Sequence, residues 1–410
     1  MLSTEDPTNS ASATVAPPAA ATRGLTLLLA ASCGVSVGSL FYCQPLLAQM
    51  GATIAGGQRV APYVPTFTQV GTMLGMGLFV PLGDMFERRK LIVVMSLAIA
   101  LTSAAMAISP SAAFLAVASF LLGITCIVPH LILPFVAQLS RPEERGKALG
   151  IVVSGLLIGI LCARTLSGFV GAAFGWRSVY WLGSAAMVAL AILLLRKLPI
   201  SHPTTLLTYP QLLRSLWHLM REFSELRQAA LTGAMLFGAF SAFWATLIFR
   251  LMTPPFHYGA RAAGLFGLVG VAGALGAPLI GRIADRRGAR TTLAASLWIT
   301  AGSFAVFFFG GSKMLGLIAG VILMDLGVQA GHVSNQTRIY AILPEARSRL
   351  NTVYMVSYFM GGALGSALGA YGWDIARWAG VCVAGIAMLA VALAAHYLGA
   401  RAKLLRPNLV

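Results

Sequence analysis

The basic turn Gly281–Arg290, reading Gly-Arg-Ile-Ala-Asp-Arg-Arg-Gly-Ala-Arg, separates two apolar runs, Ala262–Ile280 and Thr291–Gly310. Each run is about 20 residues, enough to cross a bilayer as a helix. A turn this charged cannot lie in hydrocarbon, so it belongs at a membrane face. The Lys/Arg bias of short loops makes that face the cytoplasmic one. The chain repeats the arrangement. Val80–Arg89 reads Val-Pro-Leu-Gly-Asp-Met-Phe-Glu-Arg-Arg between two further apolar runs, with Asp84 in the place of Asp285.

Two other landmarks return at a near-constant offset of about 200 residues, the mark of an internal repeat. Pro142-Glu143-Glu144-Arg145 comes back as Pro344-Glu345-Ala346-Arg347, and Gly175-Trp176-Arg177 as Gly372-Trp373-Asp374. Three echoes in one order indicate a duplicated unit of half the chain, the pattern of membrane transporters built from two repeats.

Composition agrees. Only 10% of residues are charged and 58% are hydrophobic, where soluble domains carry roughly a quarter charged residues. The net charge of +17 would suggest nucleic acid if the charges formed a patch, but they cluster in short turns between apolar runs. Cys33, Cys43, Cys126, Cys162 and Cys382 all lie inside those runs without metal-ligand spacing. They read as small core hydrophobes.

The first 23 residues, rich in Ala, Pro, Ser and Thr, form an expected disordered cytoplasmic tail (1–23) with no signal-peptide pattern. Twelve helices are then expected: Gly24–Ala48, Val60–Leu82, Leu91–Ser109, Ala112–Gln138, Ala148–Ala173 and Ser178–Leu195 in one bundle (24–195), and Gln228–Met252, Ala260–Ile280, Thr291–Gly311, Met314–Ala341, Leu350–Trp373 and Trp378–Gly399 in a second (228–400). A linker (196–227) joins them, and a cytoplasmic tail (401–410) ends the chain. Within the linker, Leu213, Leu216, Trp217, Met220 and Phe223 share one helical face, with Arg214, His218, Arg221, Glu222 and Glu225 largely opposite. That is an amphipathic helix suited to the cytoplasmic leaflet. Of the 29 Lys and Arg, only Arg59, Arg177, Arg250, Arg261, Lys313 and Arg377 fall on the far face, and Arg164 lies within a span. Both termini are therefore expected in the cytoplasm.

The turn resembles the signature loop of the major facilitator superfamily, Gly-x-x-x-Asp-Arg-x-Gly-x-Arg, between the second and third helices of a six-helix half. Gly281, Asp285, Arg286, Gly288 and Arg290 match it; the first copy keeps Asp84, Arg88 and Arg89 but has Val80, Met85 and Glu87 at motif positions. The resemblance implies an all-α membrane protein of twelve transmembrane helices in two six-helix bundles related by an internal repeat, with a cavity lined mainly by the first, fourth, seventh and tenth helices. It also implies a cytoplasmic gating role for these turns, their carboxylates meeting helix N-termini when that side is shut. Ser39–Leu47, Ala163–Gly168 and Asn335–Arg338 resemble a bacterial branch of drug/proton or arabinose-efflux-like antiporters.

Chemistry must come from polar groups at membrane depth, where an ionisable side chain costs roughly 2.5–3.5 kcal/mol on insertion scales. Asp325 lies about 15 Å into the tenth helix, near the middle of a hydrocarbon core about 30 Å thick. Gln329, His332 and Gln336 continue its face at i+4, i+7 and i+11. A carboxylate removed from water takes up a proton more readily, which makes Asp325 the candidate proton-coupling group; the alternative is a static partner for Arg164. Arg164, in the fifth helix, either meets Asp325 or receives an anionic group of the substrate. The glycines near it, Gly150, Gly155, Gly159 and Gly168, fit close approach between helices. Candidate substrate-binding residues are Tyr42, Gln44, His130, Arg164, Trp244, Gln329, His332 and Asn335.

The chain carries no phosphate-binding loop, zinc spacing or Ser/His/Asp set, so it reads as neither an enzyme nor an ATP-driven pump, and no cofactor is expected. The expected partners are a small-molecule substrate, protons and the lipid bilayer of the bacterial inner membrane, with no nucleic acid, the protein working as a monomer. Three readings stand open: a proton-coupled exporter of small organic molecules, a facilitator or symporter importing a small solute, and a membrane sensor without transport. The topology carries a direct test: a cysteine replacing Glu143 is expected to react with an impermeant maleimide only from the cytoplasm, and one replacing Gln58 only from outside. Labelling of both from one side would overturn the orientation.

Overall fold

Hydrocarbon offers no partner for a backbone N–H or C=O, so a spanning chain must satisfy its own. Among the described residues of the computed structural model every regular element is helical. These are residues 22–141, 143–200, 208–274 and 288–404, with only the backbone for Asp84, 271–274, Pro344 and 400–404. The expected N-terminal tail before Thr22, the end of the eighth helix, most of the Gly281–Arg290 turn and the last six residues lie outside them.

The main helices are α1 (Arg23–Gly38), α2 (Leu47–Thr53), α3 (Val64–Phe79), α4 (Arg88–Ile108), α5 (Ala112–Thr125), α6 (Val128–Leu139), α7 (Arg145–Phe174) and α8 (Trp176–Lys197). They continue as α9 (Tyr209–Glu222), α10 (Ser224–Met252), α11 (Ala260–Ala274), α12 (Ala289–Gly310), α13 (Met314–Tyr340) and α14 (Arg347–Leu404). α14 is broken at Ala376 and Arg377, whose dihedrals are not helical, so its two arms stand for the eleventh and twelfth expected helices. Eight helices of the described residues are long and apolar enough to cross a membrane, with Ala112–Leu139 and Arg347–Gly399 each taken as one, and Arg23–Gly38 and Ala260–Gly270 are shorter apolar ones. This is consistent with twelve spans.

Two expected helices are interrupted, each for the same reason. A proline ring collides with the carbonyl four residues earlier and donates no hydrogen bond. Pro45 acts on Phe41, and the first helix stops at Gly38, resumes as a 3₁₀ turn at Gln44–Leu46 and continues as α2. Pro129 acts on Thr125, where α5 ends before α6 begins. The corresponding helix of the second half, α13, has no proline and runs unbroken.

The repeat is visible in the packing. In the first half α1 lies against α7, α3 against α5 and α4 against α8; in the second, α10 lies against α14, α11 against α13 and α12 against α14. The halves then meet reciprocally, α3 on the first arm of α14 and α7 on α11. Thr66 Oγ1 and Ser366 Oγ, 2.9 Å apart, tie the first contact. Thr165 Oγ1 donates to Gly264 O at 3.1 Å in the second. Large apolar side chains point outward, with Leu101, Leu315 and Phe309 at 73%, 79% and 83% exposure. In water such a surface aggregates; in lipid it is the solvated face.

The linker helix also presents a side to the protein. Its protein-facing stripe is Leu212, Leu216 and Leu219, while Trp217 stands 59% exposed beneath the Arg221 guanidinium. Both sides of α9 are apolar enough to be covered, and the protein takes the side that meets α14. Phe223 separates α9 from α10, so Ser224–Arg227 form the first turn of the seventh spanning helix.

Small residues set the closest approaches. A Cβ on Gly155 would sit 2.6 Å from Ala30 O, one on Gly159 would collide with the Gly34 backbone, and one on Gly168 would sit 2.6 Å from Ala260 O. Gly150 differs from the expectation: nothing lies within 4 Å of its Cβ position. Gly159→Leu is therefore expected to separate α1 from α7 and abolish a monodisperse peak in detergent gel filtration, whereas Gly150→Leu leaves it unchanged. Equal behaviour of the two variants would contradict the packing.

Candidate functional site

Arg164 is the most buried cation of the described residues, 1% exposed on α7. Its Nε donates to Gln44 Oε1 at 2.6 Å. The guanidinium lies 3.9 Å from the centre of the Trp244 ring, 4.8 Å from that of Phe41 and 5.6 Å from that of Phe240. Arg suits this cage because its planar, weakly hydrated cation stacks on aromatic faces while its edge donates hydrogen bonds. Pro45 makes the cage. By interrupting the first helix it swings Phe41 and Gln44 inward, both buried, where a continuous helix would carry them past.

Asp325, 5% exposed, faces the same region from α13. No ion pair joins it to Arg164. Between them runs the glycine face of α11. A Cβ on Gly267 would lie 3.0 Å from Arg164 Cβ, and one on Gly270 would lie 3.4 Å from both Asp325 carboxylate oxygens. Gly267 and Gly270 are one turn apart, about 4.5 Å along the axis, so the base of the Arg164 side chain and the Asp325 carboxylate abut one bare stretch of backbone. Among the described residues, Arg164 Nη2, Trp244 Nε1 and Asp325 Oδ2 are buried without a hydrogen-bond partner.

The other candidates divide. Gln329, half-buried, lies one turn beyond Asp325 on α13. His332, a further turn on, has Nδ1 3.1 Å from Tyr354 Oη, with its ring 4.9 Å from that of Tyr358. His130 of α6, with Nδ1 buried and unpartnered among the described residues, lies within electrostatic reach of His332. These surround one interior between the halves. Tyr42 turns away from it, packing edge-on to Tyr180 of α8, 6.2 Å between rings. Asn335 is a structural tie: Oδ1 accepts from Thr232 Oγ1 at 3.3 Å and from Arg338 Nη1 at 3.4 Å. Arg338 in turn reaches Gln228 Oε1 and pairs with Glu225 at 3.4 Å. Sequence reading missed Phe41, Tyr354, Tyr358 and the α11 glycines. Tyr354 and Tyr358, spaced one turn apart opposite the polar stripe, were the available signal.

An apolar cavity of about 300 Å³ opens between the halves at the end of the molecule carrying Gln58. Its lining starts just beyond the cage, at Leu47 and at Phe249, and includes Trp373 and Arg377. At the opposite end Arg88 Nε donates to Gly83 O at 2.8 Å and Arg89 Nη2 to Leu195 O at 2.5 Å. Asp84 occupies a single helical turn, 82–85. Val80 and Pro81 face Ser348, Arg349 and Thr352 at the start of α14 across a small gap closed by Leu212 and Leu216. Gly288 has φ +84° and precedes Ala289 and Arg290 at the start of α12, a backbone conformation that favours glycine. Gly281, Asp285 and Arg286 lie outside the described residues.

Two repeated helical halves around a buried charged centre define a multi-pass membrane transporter. The sequence profile of the Major Facilitator Superfamily matches residues 25–273 and 229–408, and the chain belongs to that family. It is 41% identical over 375 residues to the "Putative uncharacterized transporter YgaY" of Escherichia coli K12, covering 92% of this chain and 95% of that one. It is 33% identical over 369 residues to the "Probable transporter SCO4007" of Streptomyces coelicolor, covering 89% and 85%. The crystal structure of the peptide transporter POT in complex with sulfate superposes with a TM-score of 0.73 at 14% identity, covering 92% of this chain and 94% of that one.

The Asn335 tie carries a prediction. Asn335→Ala leaves Thr232 and Arg338 without their shared acceptor and is expected to cost about 1–3 kcal/mol, read as a lowered Tm of the purified protein. An unchanged Tm would show that the cluster is not structural.

Proposed function

We propose that the protein is a proton-coupled exporter of small organic molecules in the bacterial inner membrane, of the drug/proton or arabinose-efflux-like kind. The observation that carries this reading is Asp325, a carboxylate buried between the halves with no ion pair and with Oδ2 unpartnered among the described residues. A static partner of Arg164 would sit within salt-bridge distance, and Asp325 does not. An intramembrane acid left open in this way is free to exchange a proton.

In this reading deprotonated Asp325 favours loading of substrate from the cytoplasm. Protonation from outside discharges the substrate, and the neutral aspartic acid lets the empty carrier return. Each unit of pH difference supplies about 1.4 kcal/mol per proton, about a tenfold substrate gradient at one-to-one exchange. The turns containing Asp84 and Asp285 act as cytoplasmic latches, their carboxylates held at helix N-termini when that side is closed. The position of Val80 and Pro81 across a small gap from the start of α14 supports this role for the first turn.

Asp325→Asn, an imitation of the protonated state, is expected to abolish pH-driven accumulation in proteoliposomes while retaining a reduced degree of substrate exchange at equal pH. A panel of lipophilic drugs, sugars and amino acids serves as substrate. Full pH-driven transport by the purified variant would overturn the coupling. Restoration of folding only when Arg164 is neutralised together with Asp325 would return Asp325 to a structural role.

A further inference from the structure

Resting on the reading that the Arg164–Asp325 centre is the transport site, we infer that its substrate is an apolar zwitterion, an amino-acid-like molecule whose carboxylate binds Arg164 and Trp244 and whose ammonium binds Asp325. Three buried polar atoms of the centre lack partners among the described residues: Arg164 Nη2 and Trp244 Nε1, both donors, and Asp325 Oδ2, an acceptor. All three side chains are at most 5% exposed. Buried polar atoms of native proteins are almost always paired, so three in one place describe the outline of what is to be bound.

The two donors belong together, because the guanidinium lies on the face of the Trp244 ring. Their complement is a carboxylate, which accepts at two oxygens. Gln44 fixes the guanidinium through Nε and leaves its outer edge to the ligand. Asp325 is the acceptor, its carboxylate against Gly270 of α11, one turn along from where Gly267 meets the base of the Arg164 side chain, and its complement is a cationic N–H. Gly267 and Gly270 let α11 pack closely against both side chains, with Arg164 Cβ 3.0 Å and the Asp325 carboxylate oxygens 3.4 Å from their Cβ positions. The rings of Phe41, Phe240 and Trp244 around the guanidinium make the surroundings of the centre apolar.

Other classes fail on charge. An anion without an amine would meet Arg164 but face the Asp325 carboxylate in a low-dielectric interior, and a cation without a carboxylate would face Arg164 in the same way. A neutral sugar would satisfy neither. A zwitterion compensates both charges and adds none. It also makes proton exchange a substitution, since the ammonium leaving Asp325 is replaced by a proton carrying the same charge.

The test is binding to the purified full-length protein in detergent at one fixed pH, by calorimetry and thermal shift. The probes are L-phenylalanine, L-tryptophan, L-leucine and L-methionine, followed by the deaminated and decarboxylated analogue of each that binds, 3-phenylpropionate and 2-phenylethylamine for phenylalanine. At least one zwitterion is expected to bind and to lose at least about tenfold in affinity when either group is removed, as sites built around buried polar partners do. Asp325→Asn should erase the advantage over the deaminated analogue alone, and Arg164→Gln the advantage over the decarboxylated one alone. Failure of all four zwitterions to bind, or equal affinity for either analogue, would overturn the inference. No gradient is involved, so a zwitterion that binds while Asp325→Asn retains full pH-driven transport would sink the coupling and leave the substrate class standing.

Discussion

A guanidinium held deep in a membrane protein without a bonded carboxylate is the arrangement on which the rest of this interior depends. Burying a charge is costly unless it is paired or stacked. Arg164 donates one hydrogen bond, to Gln44, and has three aromatic rings around it. Each support requires something of the fold. Gln44 and Phe41 need the break at Pro45, Trp244 and Phe240 need α10 to come in from the other half, and glycines let α11 pack against both Arg164 and the unbonded Asp325. The cage is thus assembled from both repeats, and it is complete only while they are together.

Much of this was legible in the residues. Ionisable groups inside apolar runs stand out against so few charges, so Arg164 and Asp325 were visible at once, as were the duplicated turns and the six-helix halves. What the residues could not show is direction. Tyr42 and Gln44 are two positions apart, yet one packs into the first half against Tyr180 and the other bonds Arg164. The change of course between them comes from a turn that helical periodicity does not predict. Asn335 shares a helix with Asp325 but is occupied by Arg338 and Thr232, partners remote in sequence or indistinguishable from solvent-facing groups.

Glycine shows the same limit. Gly150 and Gly159 sit in one helix in similar surroundings of sequence, and only the packing separates an idle one from one pressed against Gly34. Trp217 shares the apolar face of the linker helix that suits the leaflet, whereas the side that meets protein, Leu212 and Leu219, is decided by what α14 presents. In both cases the residue type sets what is permitted, and the neighbour decides what is used.

The linker helix also has a mechanical meaning. At 14 residues it is a rod about 21 Å long. One end is hooked to the first half, where Tyr209 Oη donates to Leu78 O at 2.8 Å; its flank rests on α14 of the second. A strut fastened to both jaws of a clamp cannot stay seated on both while they part. Opening this end of the molecule therefore means unhooking one attachment, and the strength of the weaker one becomes part of the work of every cycle.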